Sequence, residues 1–254
     1  MADIATRHAG HRIMTDKALA ELTVRGTLRA GINMSNSLLV TGRTPAGDPD
    51  GVAPDMARAV AHSLGVAVAL VPFPSPGEVA DAVADDGWDI ALIGAEPSRA
   101  QSIAFSPAYV EIEATYLVRD DAPFGHARDV DRPGVRVAVS ARSAYDMVLE
   151  RSLEHATLVR GKGPAGAVAR FIDEGLEALA GLRPALMATA AEIGGLRVLD
   201  GQFNTVQQAI GTKPQNAALA AHLTQFVAGA RADGLVARLI ERHGVVGRLQ
   251  VATG

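Results

Sequence analysis

Between residues 28 and 93 the chain alternates short apolar runs with amphipathic helix patterns, and this alternation constrains its fold more than any other feature. Residues 28–32, 66–71 and 88–93 read as strands. The run Ile90-Ala-Leu-Ile93 has no polar member, the mark of a strand covered on both faces. Two helix patterns lie between the strands. Pro54 suits the first turn of one, where its missing N–H has no intrahelical partner anyway. Met56, Val60 and Leu64 recur at four-residue spacing to give that helix its core face, and Gly65 ends it. The other, 78–85, turns Val79 and Val83 inward. Strand, helix, strand, helix, strand in so short a span calls for right-handed crossovers and a mainly parallel sheet.

A strand over 113–119 leaves this first set, and a second α/β set follows. Its strands are predicted at 135–139, 157–160, 176–180 and 196–199, and its helices at 143–153, 165–174 and from about Pro184. Residues 206–211 return as a second crossover. The stretch 215–243 packs back on the first set through Leu219, Leu223, Phe226, Val227, Leu235 and Leu239, with Gly234 dividing it into two helices. The expected fold is α/β: two α/β lobes with mainly parallel sheets joined by two crossover strands. A mobile leader covers 1–15, one lobe 16–112 plus 212–254, and the other 113–211.

Composition narrows the function. A net charge of -4, with no dense Lys/Arg run, offers no face for a phosphate backbone, so nucleic acid is not an expected partner. The absence of cysteine excludes disulfides, thiolate nucleophiles and cysteine-type zinc sites. His8, His11, Arg12, Asp16, Lys17 and Glu21 interrupt the N-terminal stretch, which therefore lacks the apolar core of a secretory signal. That predicts a cytoplasmic location if Met1 is the native start. No glycine-rich phosphate loop, G-x-S-x-G or H-E-x-x-H occurs, and Gly161-Lys-Gly-Pro164 reads as a strand-to-helix turn. No cofactor or metal is expected.

The polar cluster Glu96, Ser98 and Arg99 sits just past the carboxyl end of the 88–93 strand, where open α/β sheets bind ligands. A guanidinium grips a carboxylate with two parallel hydrogen bonds, which makes Arg99 the leading candidate. A surface arginine paired with Glu96 is the plain alternative. A second candidate is the turn Ser140-Ala-Arg-Ser143, where a strand runs into a helix. Ser143 is a good N-cap, and the N–H groups of the first helical turn suit an anion. Simple capping and anion binding are compatible there. Arg142 is expected to be solvated, with recognition of a second acid group as its other reading.

Pro97-x-Arg99 followed by Phe105-Ser106 and Tyr109 resembles the signature of the family 3 solute-binding proteins. Gly51-Val-Ala-Pro-Asp55, leading into an Ala-rich helix closed by Leu64-Gly65, resembles that family too. The resemblance implies a type II periplasmic-binding-protein fold that captures a small carboxylated solute, an amino acid or related organic acid. The solute sits between two lobes that close by hinge bending. It also implies a monomer that serves an ABC transporter permease from the periplasm. In the family, the arginine at the place of Arg99 holds the ligand's α-carboxylate. The turn containing Ser140 and Ser143 holds it from the other side, and Tyr109 joins the expected binding set.

The chain departs from that pattern in three places. Many amino-acid binders place an Asp two residues before a proline, where it pairs with the ligand's ammonium. Here the stretch is Ala180-Gly181-Leu182-Arg183-Pro184, with Leu182 at the acid position. A leucine cannot balance a charge whose burial alone is costly. Either the ligand lacks the amine, or Glu96 or Glu113 serves instead. After the first strand, Asn33, Asn36, Ser37 and Leu38 stand where the family usually has an aromatic, so the Asn side chains are expected to hydrogen-bond a small polar ligand. The loop around Arg99 is also shorter than usual. Two other readings stay open: a lyase resembling cyclohexadienyl dehydratases, with Glu96 or Glu113 as the acid, and a cytoplasmic ligand sensor or degenerate binder.

Overall fold

The computed structural model of this chain describes residues 15–253, so the expected leader lies outside the described residues except for its last position. The chain divides into two compact units. One comprises the chain up to Val110 and from Gln207 onward; the other is Glu111–Val206. The strands Val110–Arg119 and Asn204–Thr212 each contain one of the division points.

In the first unit, Thr27–Asn33 lies between two parallel neighbours, Ala67–Phe73 and Ile90–Gly94. The segment Gln208–Thr212 runs antiparallel beside Ile90–Gly94. Helix Val52–Leu64 covers this sheet because Met56, Val60 and Leu64 are all buried along one stripe, each contributing roughly 1.5–3 kcal/mol. Gly65 caps it in the left-handed region at φ 70°. Arg29, a charge inside a strand, is explained by Asp89. That carboxylate is only 1% exposed and accepts the backbone N–H groups of Thr23 (3.1 Å) and Arg29 (2.8 Å) and the Arg29 guanidinium (3.1 Å). The second helix differs from expectation, running Pro76–Asp81 rather than 78–85. Ser75 caps it by accepting the Glu78 N–H at 3.2 Å, with Pro76 at its first position, which moves the start forward. Asp86, at φ 56°, lies beyond its end, and Val83 is only partly buried.

The first unit ends in helices Ala217–Ala232 and Leu235–Arg242, separated by Gly234 at φ 78°. Leu219, Leu223, Val227 and Leu239 are buried as the periodicity requires. Phe226 and Leu235 are only partly buried, a correction to the expected inward face. The break at Gly234 restarts the helical phase, so Val236, Leu239 and Ile240 take the core positions.

Just beyond the last helix, His243 Nε2 hydrogen-bonds Asp55 Oδ2 at 2.8 Å, while Arg58 and Arg242 approach the same carboxylate at 2.9 and 3.3 Å. Asp50 lies within 4.8 Å of this pair. With two guanidinium groups on Asp55, the cluster reads as an ion-pair clasp between the start of helix Val52–Leu64 and the C-terminal segment. Burial alone would raise the Asp55 pKa, but the hydrogen bonds from His243 and Arg58 hold it below its usual value. A depressed folded-state pKa gives stability that is complete above the unfolded value of about 3.9 and is lost as pH falls through the folded value. Asp55→Asn is therefore expected to lower the urea midpoint at pH 7 and to flatten the acid limb of midpoint against pH. An acid limb identical to the wild type would contradict the clasp.

In the second unit the strand order is Val110–Arg119, Ala178–Leu182, Arg136–Ser140, Thr157–Gly161. The last three run parallel to one another, and Val110–Arg119 pairs antiparallel with Ala178–Leu182. Successive residues of Val110–Arg119 reach opposite faces. Tyr116 and Val118 join Val137, Val139, Tyr145 and Leu199 in one core, while Leu117 joins Ala138, Phe171, Leu179 and Leu186 in the other. Both faces are thus covered, as the near-continuous apolar strands require. The strand expected at 176–180 is Ala178–Leu182. Leu176 is buried at the helix exit, its N–H donating to Phe171 O, and Glu177 is tied to Arg136 at 2.7–3.0 Å. The strand begins only after those contacts. Among the described residues no helix is long and apolar enough to cross a membrane.

Candidate functional site

Two groups of predicted residues emerge, one in each unit. In the first unit, strand Ile90–Gly94 is wholly buried and ends at Gly94, after which a one-turn 3-10 segment, Arg99–Gln101, begins. Arg99 is only 4% exposed and its Nη1 donates to the Gly94 carbonyl at 2.7 Å. The arginine folds back on the end of its own strand, which orients the guanidinium. Glu96 is also buried, and its carbonyl accepts the Ala100 N–H at 2.9 Å to start the turn. Asn33 and Asn36 follow the first strand, but their side-chain oxygens are engaged locally. Asn33 accepts the Ser35 N–H and hydroxyl at 3.1 and 2.8 Å, and Asn36 accepts the Leu38 N–H at 3.1 Å. These are Asx turns. What these side chains offer a ligand is the amide NH2, not the oxygen. Tyr109 is fully buried with its phenol oxygen lacking a hydrogen-bond partner among the described residues, and burial pushes its pKa up.

In the second unit, strand Arg136–Ser140 runs into helix Ala144–Ser152, and Ser143 is its N-cap, accepting the Asp146 N–H at 3.1 Å. Ser140 and Ser143 are both buried, and their hydroxyls hydrogen-bond the Tyr145 phenol. Burial raises the pKa of that phenol, and the two serine contacts offset part of the rise. Asp146, 3% exposed, accepts the Arg142 N–H at 2.7 Å and both of its oxygens meet Arg160 Nε, at 2.9 and 3.1 Å. The Arg142 side chain is exposed. The arrangement is a polar turn of two serines and a tyrosine at a helix start, with its one carboxylate matched by an arginine.

Glu113 is engaged elsewhere in the second unit. Its carboxylate pairs with Arg183 Nε at 2.6 Å, and Arg183 also donates to the carbonyls of Leu199 and Gly201. Leu182, which takes the place of the expected acid, packs against the core cluster containing Ala114 and Tyr116. The charge of Glu113 is therefore balanced within the second unit.

Sequence reading missed Tyr145, Asp146, Arg160 and the Glu113–Arg183 pair. Only one carried a signal: Ser143-x-x-Asp146 has the spacing of a capping pair, Ser/Thr followed three residues later by an acid. The others depend on contacts between elements far apart in the chain.

Comparison with known proteins agrees with this architecture. A mutant of ArgBP from T. maritima superposes with a TM-score of 0.73 at 20% identity, covering 89% of this chain and 99% of that one. An ancestral amino acid-binding protein described as a precursor of cyclohexadienyl dehydratase gives 0.71 at 23% identity, over 90% and 98%. The substrate-binding protein AbpA of an amino acid ABC transporter from Streptococcus pneumoniae, bound to L-arginine, gives 0.71 at 18%, over 86% and 94%. At these identities the likeness establishes the fold, that of the type II periplasmic binding proteins. By sequence, the chain is 31% identical over 121 residues to cyclohexadienyl dehydratase from Pseudomonas aeruginosa, a match covering 46% of this chain and 45% of that enzyme. The chain thus matches less than half the length of that curated relative. The sequence pattern of the bacterial extracellular solute-binding proteins, family 3, matches residues 15–246, nearly the whole of the described chain, and the protein belongs to that family.

Proposed function

We propose that this protein captures a small solute bearing a carboxylate, with Arg99 of the first unit and the Ser140–Ser143 turn of the second both acting on that group. The observation that carries the reading is the buried Arg99, anchored by the Gly94 carbonyl at the carboxyl end of a wholly buried strand. A desolvated guanidinium held in one plane is suited to bidentate recognition of a carboxylate. Binding by both units would favour a closed arrangement reached by bending at the two crossover strands, since a ligand shifts an equilibrium by its differential affinity for the two states. We extend the proposal to the solute's amine. Leu182 offers no charge and Glu113 already faces Arg183, which favours an amine-free carboxylate over an ordinary α-amino acid and leaves Glu96 as the remaining acid that could meet an amine. Delivery to an ABC importer is part of the same proposal, and family membership supports it.

A thermal-shift screen with pyruvate, L-malate, succinate, L-arginine and L-lysine tests this. A probe at about 100 times its dissociation constant adds about 2.7 kcal/mol, which such a screen resolves. Stabilisation by the amine-free acids is expected. Stabilisation by L-arginine or L-lysine alone would keep the binding function and overturn the amine-free assignment. Indifference to every probe would overturn the binding reading.

The partial likeness to cyclohexadienyl dehydratase favours a second reading, a lyase that protonates a leaving hydroxyl. Glu96, a buried acid in the turn that carries Arg99, is the candidate for it. Turnover of a cyclohexadienyl acid that Glu96→Gln abolishes would establish the lyase.

A further inference from the structure

Arg142 is one of only two non-glycine residues among those described with a left-handed backbone, at φ 59°. An arginine gains nothing from that conformation and persists in it only where surrounding contacts enforce it. Three contacts do so. Its N–H donates to Asp146 Oδ2 at 2.7 Å, the preceding Ala141 N–H donates to the Gly161 carbonyl at 2.9 Å, and the Ser143 N–H closes back on Ser140 O at 3.2 Å. Asp146 is in turn fixed at both ends. Its own N–H is capped by Ser143 Oγ, and its carboxylate is gripped by Arg160 Nε at 2.9 and 3.1 Å from the neighbouring strand.

The charges in this knot bear on what the turn can bind. A carboxylate at the first turn of helix Ala144–Ser152 would repel a solute carboxylate held by the same turn. Asp146 is 3% exposed, so its field is poorly screened. Arg160 neutralises it at hydrogen-bonding distance. The other partner of Arg160, Glu150, lies at 3.0 Å but its side chain is 64% exposed, so that pair is well screened.

We infer that Asp146 and Arg160 form a positioning pair that presets the Ser140–Ser143 turn for a solute carboxylate without touching the solute. Asp146 holds the Arg142 backbone in its left-handed state, which aims the serine hydroxyls and the first helical N–H groups. Arg160 holds Asp146 and cancels its charge. The inference rests on the solute-binding reading above.

The test separates the two. Calorimetric titration with each of the five probes named above is run on the wild type and on Asp146→Ala, Asp146→Asn and Arg160→Met, alongside hydrogen exchange of residues 141–145 in the unliganded proteins. Asp146→Ala is expected to weaken binding of the active probe about tenfold and to speed exchange of the turn, as loss of a cap at a strained position implies. Asp146→Asn keeps an oxygen for the Arg142 N–H, and binding and exchange are expected to stay within about threefold of the wild type. Arg160→Met, which leaves the Asp146 charge unbalanced, should weaken binding while exchange changes less. This variant keeps the test decisive if Asp146→Ala fails to fold. Wild-type affinity in all three variants would overturn the positioning pair alone, and so would equal losses in Asp146→Ala and Asp146→Asn, which would assign the effect to charge. A wild type that binds none of the probes would overturn the solute-binding reading and this inference with it.

Discussion

Arg99→Ala is expected to abolish solute binding, lowering affinity by about 100-fold or more, because the charge-assisted contacts of a buried guanidinium are worth about 1.5–3 kcal/mol each. The fold should survive. Arg99 sits after the strand rather than inside it, and its Nη1 bonds the Gly94 carbonyl at the strand's end rather than a ladder partner. Arg99→Lys is the sharper variant. A lysine keeps the charge but presents a point ammonium in place of a planar fork, so it should recover little of the lost affinity. Calorimetry gives the affinities, and the urea midpoint of the unliganded protein reports the fold. Binding retained in Arg99→Ala, with an unchanged midpoint, would remove Arg99 from the site and with it the main support for a carboxylated solute. Loss of both binding and midpoint would make Arg99 a structural residue.

The lobes were legible in the sequence because their signals are local. Pro54, the Met56–Val60–Leu64 stripe and Gly65 specify one helix without reference to anything distant, and the structure places that helix at Val52–Leu64. Ser143 was legible as an N-cap for the same reason. Element ends were less so. Leu176 has the composition of a strand residue, yet it closes the preceding helix by bonding Phe171, and that shift puts Leu182 at the end of its strand. The missed polar partners share a cause. Asp146 and Arg160 lie on a helix and a neighbouring strand, and Glu113 and Arg183 are brought together only by the antiparallel pairing of Val110–Arg119 with Ala178–Leu182. No spacing in a single sequence encodes such a pair. Asn33 and Asn36 show a local limit: two amides at a strand end resemble ligand contacts, and because their oxygens serve the turn they stand in, a ligand role falls to the amide NH2 groups.

The expected result for Gly161→Ala is a loss of roughly 3 kcal/mol or more, the upper range for forcing atoms into a packed site. A Cβ at Gly161 would fall within 3.0 Å of the backbone of Gly166 and Ala167, inside helix Gly163–Asp173. Backbone cannot rotate away as a side-chain tip can, so strand Thr157–Gly161 and the helix must separate. Gly163, two residues on, supplies the control. It has φ 68° but open space around its Cβ position, so Gly163→Ala incurs only the left-handed cost of roughly 1–2 kcal/mol. The glycines of Gly161-Lys-Gly-Pro164 therefore do different jobs, close helix approach and backbone handedness, and neither requires a phosphate. The first also reaches the candidate site, because the Gly161 carbonyl accepts the Ala141 N–H at the start of the serine turn. Gly161→Ala should therefore reduce both the urea midpoint and the affinity for the active probe, whereas Gly163→Ala should reduce the midpoint alone. If Gly163→Ala proved the more damaging to stability, the close strand–helix contact at Gly161 would be wrong. Equal affinity in the two variants would detach the serine turn from its Gly161 support.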